Sequence, residues 1–156
     1  EERLIKNLKN NFINVALGTD GCASNNDLDM ISEMRTATLI AKVIANDASA
    51  VPAHHAIEMA TLNGAKALGL DHLIGSIESG KHADIVAISM DDINQLPMYR
   101  PESNIVYSTQ ANQVSHVWCR GIPLLREGKL TTINTTLLKE RVLKWQKTLG
   151  ESIKNN

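Results

Sequence analysis

The chain has 156 residues, of which 43% are hydrophobic and 21% are charged, and this composition fits one globular domain with an apolar core. Sixteen basic and seventeen acidic residues give a formal net charge of −1, and the basic residues are scattered along the chain, which argues against nucleic acid or an anionic membrane as a partner. Because the apolar runs are short and Cys22 and Cys119 form no C-x-x-C motif, we expect a cytoplasmic protein with free thiols.

The first predicted elements are the end of a helix and a buried strand. Residues 1–8 have the pattern of an amphipathic helix already under way, and the first residue is not Met, so we expect a piece of a longer chain. Residues 12–17 form a short apolar run without polar alternation, which is typical of a parallel strand covered on both faces. Such a strand needs neighbouring strands.

Asp20 lies between Gly18 and Gly21 at the end of this strand. Glycines allow a sharp turn, and the carboxyl ends of strands are the positions where α/β barrels assemble their catalytic side chains. Aspartate also commonly caps a turn, so the local pattern leaves both interpretations open.

A helix is predicted after this turn, with Asn26 or Asp27 as its cap. Its inner positions follow a spacing of three to four residues: Leu28, Ile31, Met34, Ala37 or Thr38, Ala41 and Ile44. Residues 25–29 also resemble part of a calcium loop, but the glycine and glutamate of such a loop are missing. Glu33 and Arg35 are two positions apart, and we interpret them as separate outward or interface contacts.

Pro52 is expected to open a second helix that ends at Gly69. Its inner positions are Ala56, Ile57, Ala60, Ala65 and Leu68. Short segments rich in β-branched residues then predict strands at residues 85–88, 114–119 and 122–125. Two prolines predict a loop over residues 96–101. Thr135 or Thr136 is expected to cap a last helix that passes Leu149 and frays over the final three residues.

Several segments, in their order along the chain, resemble the metal-dependent amidohydrolase superfamily. They are VALGTDG at residues 15–21, SNNDLDM at 24–30 with EMR at 33–35, ATLNGAKALGL at 60–70, IGSIESGKHADIV at 74–86 and VSHVWCRG at 114–121. Within the superfamily the sequence is most similar to the 5-methylthioadenosine/S-adenosylhomocysteine deaminases of the chlorohydrolase-like group.

The resemblance implies an α/β fold in which a (β/α)8 barrel is joined to a small β-sandwich. This chain would be a C-terminal fragment of that fold, with the last barrel strand and helices and part of the sandwich. The implied division assigns residues 1–72 to the barrel, residues 73–134 to the sandwich and residues 135–156 to a terminal helix.

The resemblance also implies the role of Asp20. The matching aspartate of the family ligates one divalent metal, contacts the substrate, and takes a proton from the attacking water before passing it to the leaving amine. Zinc is the expected metal, and iron or manganese would suit the same ligands. The other ligands and the glutamate that protonates the ring would lie upstream of residue 1. Five histidines are present and are not expected to replace them: His54, His55, His72, His82 and His116.

The implied function is hydrolytic deamination of a 5-methylthioadenosine- or S-adenosylhomocysteine-type nucleoside by the full-length enzyme, with this chain inactive alone. A guanine deaminase or a chlorohydrolase is the nearest alternative, and a non-catalytic folding or assembly unit is the alternative from another class. The expected partners are the nucleoside substrate, the missing N-terminal part and a second copy in a homo-oligomer.

By itself, the 156-residue chain is expected to be unstable, rearranged or self-associated, because the predicted strand at residues 12–17 would expose two faces and two unpaired edges. Light scattering after size-exclusion chromatography measures association, and urea unfolding followed by circular dichroism measures stability. A monomer that unfolds cooperatively with this strand ordered would contradict the expectation.

Overall fold

The computed structural model describes residues 13–154. Helices come first in this range, a small antiparallel sheet follows, and a long helix ends it, so the fold is α/β. The helices are α1 (Met30–Ala45), α2 (Ala53–Ala60), α3 (Leu62–Ala67), α4 (Pro101–Tyr107) and α5 (Thr135–Lys154). The strands are β1 (Ile85–Ile88), β2 (Val114–Cys119), β3 (Ile122–Arg126) and β4 (Lys129–Leu130). None of the helices in this range is both long and apolar enough to cross a bilayer.

The core lies where α1, α2 and α4 meet. Its buried side chains are Ile31, Met34, Ala41, Ala50, Val51, Ala53, Ala56, Met59 and Val106. Four of these are alanines, whose small side chains let helices approach closely. Val15 and Leu17 pack against the edge of this cluster, so the segment before the Asp20 turn rests on the helices.

The predicted strand at residues 12–17 does not form within the described range, and Phe12 lies outside that range. Residues 13–17 have no regular secondary structure and pair with no described strand. Instead, the Leu17 N–H donates to the Met59 carbonyl at 2.9 Å, and Asn63 Nδ2 donates to the Val15 carbonyl at 3.1 Å. A strand is defined by its ladder of hydrogen bonds, and none of the described strands lies beside this segment to supply one.

The helix α1 begins later than predicted, and its cap is Asp29 rather than Asn26 or Asp27. Asp29 Oδ1 accepts the Ile31 N–H at 2.9 Å. The Asp27 N–H donates instead to Asn25 Oδ1 at 3.2 Å, which prolongs the preceding turn. The predicted inner residues Ile31, Met34, Thr38 and Ala41 are buried, whereas Leu28 and Ile44 are exposed.

The second predicted helix is broken at Thr61, where the backbone leaves the helical region at φ −128° and ψ −92°. The Thr61 hydroxyl donates to the Ile57 carbonyl at 2.6 Å, a contact that bends helices. Gly69 ends α3 as predicted: its φ is +69°, its N–H donates to Lys66, and the Leu70 N–H donates to Ala65. Leu68 is 72% exposed and not an inner residue.

The sequence did not predict α4, which Pro101 opens at the first helical position. Proline is well suited to the first position of a helix, so Pro101 could have predicted α4. It was instead interpreted as part of the loop. Arg35 joins this helix to α1, because its Nε donates to the Val106 carbonyl at 3.1 Å and its Nη2 to the Thr109 carbonyl at 2.5 Å. A cation at the end of a helix also interacts favourably with the helix dipole.

A buried polar network holds the segment on either side of α4. Gln95 is 1% exposed, and its Nε2 donates to Thr109 Oγ1 at 3.1 Å. Asn104 Nδ2 donates to the Gln95 carbonyl at 2.7 Å. Within the described residues, every buried side-chain nitrogen or oxygen has a hydrogen-bond partner, as is usual for native cores.

The sheet has the antiparallel order β1-β2-β3-β4. Val117 in β2 pairs with Val86 in β1 and with Leu125 in β3. The predicted strands at residues 85–88 and 114–119 are confirmed, and the third extends one residue farther, to Arg126. The two-residue strand β4 was not predicted.

The last helix, α5, is capped by Asn134 rather than by Thr135 or Thr136, since the Leu137 N–H donates to Asn134 Oδ1 at 3.0 Å. One side of the helix is apolar, with Leu138, Val142, Trp145 and Leu149. Each of these side chains is about half exposed or more. The apolar side of α5 is therefore not packed against the described residues.

Gly75 gives a test of the packing between α3 and the segment that follows it. A Cβ atom at Gly75 would lie 2.7 Å from Ala65 Cβ and 3.0 Å from Leu62 Cα. We expect Gly75→Ala to lower the free energy of unfolding by about 1–2 kcal/mol through its positive φ and by about 1–3 kcal/mol more through the clash.

Gly80→Ala is the matched control for that measurement. Gly80 has φ +94°, beside +92° for Gly75, and a Cβ atom added to Gly80 would meet no atom within 4 Å, so only the backbone contribution should appear. Urea unfolding of both variants measures the difference. Equal losses of stability would show that the contact with Ala65 is unimportant.

Candidate functional site

Asp20 is exposed and lies just before the hydrogen-bonded turn at residues 21–25, and residues 18–25 are called the Asp20 turn below. The φ of Asp20 is +59°, a left-handed conformation that aspartate adopts more readily than most non-glycine residues. Asp20 Oδ1 accepts the Gly21 N–H at 2.6 Å. Its second carboxylate oxygen makes no hydrogen bond to the described residues, and the residue as a whole is exposed.

The turn is fastened to the first turn of α1 by Asn25. Its Nδ2 donates to the Thr19 carbonyl at 3.0 Å and to Glu33 Oε1 at 2.7 Å. The N–H groups of Ser24 and Asn25 both donate to the Gly21 carbonyl at 2.9 Å. Hydrogen bonds therefore hold the carbonyls on both sides of Asp20.

The sequence did not reveal the contact between Asn25 and Glu33. Asn25 was grouped with a calcium-like stretch, and Glu33 was interpreted as an outward or interface contact. Glu33 and Arg35 are separate contacts, as predicted, but both are half-buried and hydrogen-bonded. Eight residues separate Asn25 from Glu33, so their contact depends on the angle between the turn and the helix.

Asp20 can supply one ligand to a cation but not a complete site. Within residues 13–154, no three His, Cys, Asp or Glu side chains are grouped so that they could hold a metal ion. A catalytic zinc site in proteins takes three protein ligands. An exposed carboxylate with one oxygen not hydrogen-bonded within the described chain suits such a cation, so Asp20 fits as one member of a larger ligand set.

The histidines with described side-chain contacts make them elsewhere. The rings of His54 and His55 are adjacent, with centroids 4.7 Å apart, and His55 Nε2 lies 3.9 Å from Glu58. His116 stacks on Trp118 at 5.3 Å between ring centroids. None of these described contacts brings one of the three rings to Asp20.

The glycine-rich segment around Lys81 is a closed turn rather than a phosphate cradle. Lys81 Nζ donates to Ser76 Oγ at 2.6 Å and lies 3.4 Å from Glu78 Oε1. The hydrogen bond from Ser76, followed by the charge of Lys81, lowers the pKa of Glu78 below its ordinary value. The lysine is therefore engaged within its own turn.

A groove of about 370 Å³ is lined in part by residues 13–15, but Asp20 is not part of its lining. Its lining includes Val15, Val51, His55, Glu58 and Lys66. The described residues therefore do not enclose the Asp20 carboxylate, and any wall around it must come from other residues.

Comparison with known proteins gives consistent matches. Residues 2–124 match the model of the amidohydrolase family. The 5-methylthioadenosine/S-adenosylhomocysteine deaminase of Teredinibacter turnerae is 47% identical over 138 residues, which are 88% of this chain and 31% of that protein. The 5'-deoxyadenosine deaminase of Methanosphaera stadtmanae is 49% identical over 124 residues, covering 80% of this chain and 29% of that protein.

Solved structures match over a similar share. An adenosine deaminase from Xanthomonas campestris, solved with bound zinc, has a TM-score of 0.86 and 43% identity, and the match covers 89% of this chain and 32% of that one. An atrazine chlorohydrolase from Arthrobacter aurescens, solved with zinc, has a TM-score of 0.76 and 24% identity over 88% of this chain and 30% of that one, a likeness of fold alone. The chain thus spans about a third of the length of the relatives it matches.

Proposed function

Because this chain belongs to the amidohydrolase family, we propose that it is the C-terminal part of a metal-dependent deaminase that acts on 5-methylthioadenosine, S-adenosylhomocysteine or a related adenosine derivative. The observation that carries this proposal is the exposed Asp20 carboxylate, presented at φ +59° between two glycines inside the family match. The relatives that bear those deaminase names support the substrate class.

The proposed fold divides the chain into three parts. Residues 1–72 would complete a (β/α)8 barrel, residues 73–134 would contribute to a β-sandwich, and residues 135–156 would form a terminal helix. Residues 13–17 form no ladder with any described strand, which supports a barrel strand whose neighbours would lie elsewhere in the enzyme. Helix α4 lies within the second part by sequence but packs on α1 and α2, so the two parts would share one core.

The proposed metal is a single divalent ion, most simply zinc, with iron or manganese suited to the same kinds of ligand. In this chain Asp20 would hold it, together with ligands outside the described residues. When bound, such an ion supplies Lewis-acid chemistry that makes water a nucleophile at neutral pH.

Asp20 would also move the proton. In hydrolytic deamination, the oxygen of water bonds to the amidine carbon of the purine, the bond from that carbon to the amino group breaks, and ammonia leaves. A carboxylate beside the water can accept its proton and return it to the leaving amine. The Gly21 N–H would hold Oδ1 in one orientation and leave the other oxygen toward the reactants.

Asp20→Asn in the intact enzyme is expected to lower the rate of ammonia release from 5-methylthioadenosine by about 10²–10⁴-fold, the range for loss of a general acid–base group. Asp27→Asn, the same change at an exposed position in the same loop, is the control and should retain activity. Equal activity in the two variants would contradict the role of Asp20. Guanine and a chlorotriazine, assayed beside 5-methylthioadenosine, distinguish the other amidohydrolase substrates.

Metal content tests the incomplete ligand set. Elemental analysis of the purified 156-residue chain, run beside its intact mass, is expected to give almost no divalent metal, because Asp20 alone cannot hold a catalytic ion. The intact enzyme should carry about one ion per chain. About one ion on this chain alone would mean that its own histidines complete the site, which would contradict the proposed ligand set.

A further inference from the structure

The turn that carries Asp20 is held on both sides by one residue, Asn25. The side chain of Asn25 bonds the carbonyl of Thr19, directly before Asp20, and its backbone N–H bonds the carbonyl of Gly21, directly after it. We propose that Asn25, braced by Glu33, is a positioning residue that sets the direction of the Asp20 carboxylate. This inference rests on the proposed role of Asp20.

Asn25 is well placed for such a role because its side-chain polar atoms are all engaged. Its Nδ2 donates to Thr19 and Glu33, and its Oδ1 accepts the Asp27 N–H. The bond to the Glu33 carboxylate is charge-assisted, which makes it shorter and stronger than a bond between neutral groups. The amide plane of Asn25 therefore has one favoured orientation.

Glu33, which accepts the bond from Asn25, is itself held in a fixed position. It lies in the first turn of α1, between the buried core residues Ile31 and Met34, and its own side chain is half-buried. The position of Glu33 is thus set by the packing of the helix against the core. Because Asn25 bonds both Glu33 and the Thr19 carbonyl, the position of Glu33 also limits the position of the Asp20 turn.

Asp20 depends on the hydrogen bonds made by Asn25 because few other contacts constrain it. Its side chain is exposed, and Gly21 directly after it and Gly18 two positions before it are residues that allow many backbone conformations. A left-handed conformation in a non-glycine residue costs energy and persists only when the surrounding structure imposes it. The hydrogen bonds on the two neighbouring carbonyls provide that constraint.

The test compares Asn25→Asp and Glu33→Ala with Glu33→Gln and Asn26→Asp in the intact holoenzyme. Asn25→Asp replaces the donating amide with a carboxylate that repels both of its acceptors, and Glu33→Ala removes the brace while leaving the backbone bonds of Asn25 in place. Glu33→Gln keeps an oxygen that can accept the same bond. Asn26→Asp is the same chemical change at an exposed neighbour and serves as the matched control.

The measurements are the dissociation constant of the metal, the visible absorption of the cobalt-substituted enzyme, and kcat and KM for 5-methylthioadenosine. We expect Asn25→Asp and Glu33→Ala to weaken metal binding or lower kcat by about 10–100-fold, the usual effect of losing a group that orients a ligand. KM should change little, and the cobalt absorption should shift because the carboxylate has moved. Glu33→Gln, which keeps the acceptor oxygen but loses its charge, should show a smaller effect than Glu33→Ala, and Asn26→Asp should resemble the parent enzyme.

The inference would be overturned if Asn25→Asp and Glu33→Ala showed the metal affinity and cobalt spectrum of Asn26→Asp, even if they unfolded more easily. If that result came with a large loss in Asp20→Asn, only the positioning role would fail. If Asp20→Asn itself kept its metal and its activity, the proposed function of Asp20 would fail as well.

Discussion

Arg35 makes a contact that ties α1 to the segment between β1 and β2, beside the packing of Ile88 and Val114 on the helical core. Helix α4 lies in the connection between β1 and β2. A contact that fixes the C-terminal end of α4 therefore also limits the movement of the sheet. Arg35 reaches from α1 to two carbonyls at that end, and the partly buried setting makes these charged hydrogen bonds stronger than surface ones. The buried Gln95 network then keeps the chain on both sides of α4 in one arrangement.

Sequence patterns predicted the elements that depend on interactions between residues close together in the chain. The inner face of α1, the strand β2 and the end of α3 at Gly69 follow from spacing, β-branched content and glycine conformation. The predicted strand at residues 12–17 has no described strand beside its residues 13–17, and α4 was missed because Pro101 both ends a loop and opens a helix. The flanking glycines and the family motif predict Asp20 as a site residue, but its support by Asn25 depends on tertiary geometry and could not be predicted.

The Asp20 turn is held in place by residues of this chain. Its backbone is braced by hydrogen bonds within the described residues, while the walls and further ligands that its proposed chemistry requires are not among them. A turn held by hydrogen bonds loses less conformational entropy on binding a ligand than a loose turn would. Residues 13–17 are likewise held in place, because Val15 and Leu17 pack against the core.

The exposed apolar side of α5 affects how easily this helix unfolds by itself. Every side chain of α5 described up to residue 149 is exposed, so tertiary packing adds little to the hydrogen bonds of this helix. Those bonds should open at a free energy set by local helix propensity, whereas the amides of α1 should open only with the core. We therefore expect the amide protons of α5 to exchange before the core unfolds.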